Sequence, residues 1–122
     1  MREIPDGPGL LDIARETLLS EVVPRLSPEH RLPALMAANA MAIAARDTRA
    51  GTEWEQDLAK RLASLPGMED AGETALLAQL AARIRGGDAD PGTPLHDPAA
   101  AFLRAYAEAR CRISAPKALG RL

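Results

Sequence analysis

Apolar residues recur along this chain every three or four positions, and Pro and Gly interrupt the rhythm at short intervals. That pattern predicts five helices. The first covers 10–23, after a loop built from Pro5, Asp6, Gly7, Pro8 and Gly9. Leu11, Ala14, Leu18 and Val22 share one of its faces, while Asp12, Arg15 and Glu16 occupy another. Pro24 and Pro28 end it in a connector. The second covers 33–51, PALMAANAMAIAARDTRAG, with Pro33 suited to its first turn and Gly51 to its end. Asn39 is the lone amide in its apolar middle. The third, 52–65, opens with a capping-box spacing, Thr52 followed three positions later by Glu55. Its stripe is Trp54, Leu58, Leu62 and Leu65, and Pro66-Gly67 stops it. The fourth, 72–85, buries Leu76, Leu77, Leu80 and Ile84, and carries Arg83 and Arg85 where cations complement a helix dipole. A loop over 86–96 precedes the fifth, 97–113, with Asp97 as N-cap and Pro98 at the first helical position. Phe102, Tyr106, Ala109 and Ile113 line one face of it; Glu108 and Arg112 form an i,i+4 pair on the other.

Composition strengthens the helical reading. The 122 residues include 25 alanines and 17 leucines, against five isoleucines, two valines and three aromatics. Strands favour β-branched and aromatic residues, so this balance belongs to helices. The expected fold is all-α, a compact bundle of about five helices forming one domain over 1–122. The alanine-rich helix should lie near its centre, because alanine lets neighbouring helices approach closely. Placed there, Asn39 would be buried and would need a hydrogen-bond partner.

Charge and cysteine usage remove several function classes. The net charge is −2, no basic block is present, and aromatics for base stacking are nearly absent, which disfavours nucleic-acid binding. Cys111 is the sole cysteine, leaving neither an internal disulfide nor a cysteine-rich zinc site. The amino terminus MREIPDGPG lacks the apolar stretch of a secretory signal. No apolar run approaches the roughly 20 residues that cross a bilayer. These features predict a cytoplasmic protein without membrane contact.

Four segments together resemble a family of small, all-helical bacterial proteins without an assigned activity: LLSEVVPRL, LMAANAMAIAARD, ALLAQLAARIRGGD and RISAPKAL. The similarity runs over about 10–119, and the second-helix segment is its most specific part. The chain departs from that family at its carboxyl end, where Ala115-Pro116-Lys117-Ala118 stands in place of an Asn-Pro-Arg-Tyr pattern. The resemblance implies a helical domain encoded near aminoglycoside-phosphotransferase-like kinases and acyl-CoA dehydrogenases. It supplies no catalytic residue.

Candidate chemistry is sparse. Asn39 reads either as a ligand-binding amide or as an interhelical hydrogen bond that fixes register, and the second reading is favoured. Asp88, Asp90, His96 and Asp97 are the one cluster with metal-ligand side chains. Thr93 and Ala99 stand where a calcium loop needs Gly and Glu, so no metal is expected. His30, near Ser27 and Glu29, lacks the strained elbow of a hydrolytic nucleophile. No phosphate-cradling glycine loop with a following lysine occurs, and no cofactor is expected. Cys111 reads as a packed helix residue, although Arg110 and Arg112 beside it could lower the pKa of an exposed thiol. Trp54 reads as core ahead of a partner hot spot.

From Arg104 onward, Arg104, Arg110, Arg112, Lys117 and Arg121 face only Glu108 in acid count. This basic end could hold an anion, although dipole complementation explains it as well. The expectation is a non-enzymatic accessory or interaction module, with the kinase-like or dehydrogenase partner implied by the resemblance. Alanine faces also allow self-association. The alternative is a ligand-binding or catalytic bundle in which Asn39, Arg110 and Arg112 recognise an anionic, acyl-CoA-like molecule.

Overall fold

A computed structural model describes residues 4–121. Among them are five α-helices and no strand: α1 Gly7–Thr17, α2 Pro28–Ala50, α3 Glu53–Ala63, α4 Glu73–Arg85 and α5 His96–Ser114. The all-α expectation therefore holds. The chain divides into two compact units, one ending at Gly51 and the other beginning at Thr52.

The first unit is a helical hairpin. Asp6 starts α1 three residues earlier than the sequence pattern suggested, because its Oδ1 accepts a hydrogen bond from the Gly9 amide at 2.9 Å. Pro8, lacking an N–H, fits the free first turn. α1 then widens into a single π-helical segment, Leu18–Val22, before the 3-10 turn Val23–Arg25. Two local causes meet there. Pro24 cannot donate to the turn before it, and the Ser20 hydroxyl bonds back to the Glu16 carbonyl at 2.7 Å. Val22, at the end of this segment, is exposed, as is Ala14 within α1, while Leu11, Leu18 and Leu19 are half-buried.

α2 is 23 residues long and begins at Pro28, not Pro33. Ser27 is extended and Pro28 occupies the first turn, so the start signal lies five residues upstream of the one the pattern favoured. Pro33 consequently sits inside the helix. Gly51 ends it at φ 68°, the left-handed region that glycine tolerates. α1 and α2 run antiparallel: Gly7, Pro8 and Leu10 at the start of α1 border one hollow with Thr48 and Arg49 near the end of α2, and Asp12 midway along α1 meets Arg49 at 2.7 Å. Ala38 and Ala45 are buried along this hairpin, at 2% and 1% exposure.

The second unit holds the leucine core. Leu58, Leu62 and Leu65 from α3 and its end meet Leu76 and Leu80 of α4. Leu95, Ala99, Phe102 and Ala109 close the core from α5 and its cap. Trp54, Leu77 and Tyr106 pack partly buried against them, so the predicted core role of Trp54 is borne out. Three expectations fail here. The Thr52 side chain makes no capping bond, since its backbone is near-helical instead of extended. Ile84 is 40% exposed, lying one turn past the last core contact of α4. Leu95, not Asp97, is the residue before α5, and its side chain is plugged into the core at 1% exposure. Asp97 instead lies in the first turn, where its charge suits the helix dipole. A 3-10 segment, Pro116–Arg121, packs back on α5.

Candidate functional site

Asn39 is exposed, which overturns its expected burial. The reason is helical phase. The buried side of α2 is set by Ala38 and Ala45, and each further residue turns about 100° away. A hairpin covers only one such stripe. Asn39 falls outside it, as do Met36 at 65% exposure and the exposed Ala40; Ile43 is half-buried. Met36, Asn39 and Ala40 thus form an open face of α2. Leu32 at 66% and Leu35 at 45% extend it toward the start of the helix. Exposed large side chains in a continuous helical stripe are informative where a single exposed leucine is not.

The carboxyl-terminal arginines do not converge. Arg110 lies over the Tyr106 ring, 5.7 Å from its centroid, a cation–π arrangement one turn apart on α5. Tyr106 in turn stacks beside Phe102 with centroids 6.0 Å apart. Arg110 borders a crevice of about 110 Å³ lined also by Trp54, Glu55 and Glu73. That volume is too small for a drug-sized ligand, whose sites measure about 300–1,000 Å³. Arg112, two residues on, leaves the helix on a different side and is exposed. Glu108 pairs with Arg104 at 3.3 Å, replacing the predicted pair with Arg112. Both partners are acceptable i,i±4 neighbours; the one toward the amino terminus is taken.

A second concavity of about 570 Å³ runs along α5 beneath the terminal 3-10 segment. Ala100, Ala107 and Cys111 form its floor, Ala118 and Leu119 its far wall, and Arg104 stands on its border. Cys111 is half-buried there, consistent with a packed position. A third, of about 560 Å³, lies in the first unit between the start of α1 and Thr48–Arg49. Its cation, Arg49, is engaged by Asp12, whose carboxyl that hydrogen bond holds below the usual range.

Among the described residues, no three His, Cys, Asp or Glu side chains are grouped to hold a metal. Asp88 pairs with Arg83 at 3.5 Å, and the His96 Nδ1 lies 2.9 Å from the Ala89 carbonyl. Asp97 is fully open, its side chain 99% exposed. His30 is exposed on the first turn of α2. No described helix is long and apolar enough to cross a membrane.

Sequence reasoning missed Arg83. Its guanidinium donates to the Pro66 carbonyl, approaches the Met68 sulfur at 3.8 Å and pairs with Asp88. One side chain thereby fastens the turn after α3 and the turn after α4. The signal was present in Pro66-Gly67 and Gly86-Gly87, two sharp breaks flanking one arginine.

The family described as Domain of unknown function (DUF6285) matches residues 24–118. No curated protein and no solved structure is matched by the chain.

Proposed function

The chain belongs to the DUF6285 family, and from that premise we propose that it works by protein contact, as a non-enzymatic accessory module. The observation that carries this reading is the open face of α2, where Leu32, Leu35 and Met36 stand in solvent around Asn39. Apolar side chains held out on a regular helix favour another protein surface over water. The polar groups nearby do not converge as an acid, a base and a nucleophile would. An enzyme of the aminoglycoside-phosphotransferase-like or acyl-CoA-dehydrogenase class, suggested by the resemblance, is the candidate for the module to serve.

Co-purification tests it. Tagged wild-type chain should retain one of those enzymes from a strain expressing both, and Met36→Glu should lose it. Capture of neither enzyme, together with calorimetric binding of an acyl-CoA, would replace this reading with a second one. That second reading has one supporting observation, the mostly apolar concavity along α5, bordered by Arg104 and Glu108 and of a volume suited to an acyl chain. Ala107→Trp would fill it and abolish such binding.

A further inference from the structure

All the helices of the second unit meet around one small crevice. α3 contributes Trp54, Glu55 and Leu58, α4 contributes Glu73, and α5 contributes Tyr106 and Arg110. The apolar side of the lining is fixed. Leu58 belongs to the leucine core, Trp54 and Tyr106 pack against it, and Phe102 stacks beside Tyr106. Glu55 and Glu73 supply charge. Each lies in the first turn of its helix, where the dipole favours the carboxylate over the acid. Among the described residues neither makes an ion pair.

Arg110 shows what such a lining attracts. Its guanidinium stands over the Tyr106 ring, 5.7 Å from the centroid, and no described carboxylate pairs with it. Two carboxylates and one arginine leave the crevice with negative charge in excess. Arg110 is exposed, and a cation–π contact at an exposed site is weak, so this side chain is easily turned out to solvent.

Going beyond the protein-contact reading, and using none of the α2 residues, we propose that the crevice binds a guanidinium group from outside. Arg110 is the built-in occupant that this group displaces. A guanidinium is flat, so its face stacks on Tyr106 while its edge N–H groups donate to Glu55 and Glu73. The volume of about 110 Å³ equals the space of about three or four waters, room for one such head group and little more. A lysine ammonium has no planar face to stack. The guanidinium comes from an arginine side chain of another chain or from a free small guanidine.

Titration of the full chain decides it. The reporters are unambiguous, because Trp54 is the sole tryptophan and Tyr106 the sole tyrosine. N-acetyl-arginine amide should move the NMR signals of both rings, with a Kd of about 1–10 mM. Arg110→Ala should tighten binding by about threefold or more, because the competing guanidinium is gone. Glu55→Gln and Glu73→Gln keep the side-chain shape and should each weaken it by about threefold or more. Both positions are exposed, so the far-ultraviolet helix signal should not change. Methylguanidinium that binds more weakly than the arginine amide supports an arginine side chain as the source; equal binding supports a free guanidine. Rings that do not shift at about 50 mM arginine amide overturn the proposal. So does N-acetyl-lysine amide binding equally well, or an Arg110→Ala variant whose affinity is unchanged.

Discussion

Arg83 shows how much one side chain can organise in a small helical unit. It donates to a backbone carbonyl of one turn and to a carboxylate of another, with its own side chain 27% exposed. Charge-assisted hydrogen bonds of this kind contribute about 1.5–3 kcal/mol each when well shielded, and less at this exposure. Arg83→Ala should therefore cost about 1–2 kcal/mol by urea denaturation. Gly67 gives an independent check. It holds φ +75°, and a Cβ there would stand 3.0 Å from the Arg83 guanidinium, so Gly67→Ala should destabilise the same turn. A second residue-level prediction concerns Asp12. Its carboxyl lies below the usual pKa range, first because of the hydrogen bond from Arg49. A depressed folded-state pKa contributes stability that is present above the unfolded pKa and is lost as pH falls through the folded value. Arg49→Ala should move the Asp12 titration, followed by carboxyl NMR shifts, up toward the ordinary range. It should also flatten the acid limb of the stability curve. Burial was the part of residue behaviour that sequence could not reveal. Asn39 looked like a core amide because its neighbours are apolar, yet only a partner helix on that side could have buried it.

At the scale of elements, helix identity was legible and helix ends were less so. Burial of Leu58, Leu62 and Leu65 was legible from the apolar period, although α3 ends at Ala63 and leaves Leu65 in the turn before Pro66-Gly67. α1 and α2 began earlier than expected because two prolines were each read as a breaker where they serve as first-turn residues. Thr52 failed as a side-chain cap because capping depends on backbone angles that composition does not set. The alanines of α2 do have the role that their size suggests, within the hairpin. Ala38 and Ala45 occupy the narrow contact with α1, almost wholly buried. Enlarging one forces the helices apart. Ala45→Leu should cost about 1–3 kcal/mol of overpacking despite the added apolar surface, read as a lower thermal midpoint. The exposed Ala44→Leu, one residue away, should be close to neutral.

For the whole molecule, the all-α class follows from composition, since a chain with 25 alanines and two valines has little from which to build a sheet. The division at Gly51 was harder to see, because a glycine that ends one helix looks the same as one that ends a unit. The two units differ in how their apolar residues are used. Leucines of α3 and α4, with Phe102, are enclosed in the second unit, whereas those of α1 and α2 are half-buried or exposed in the first. A sequence reading assigns both sets to a core.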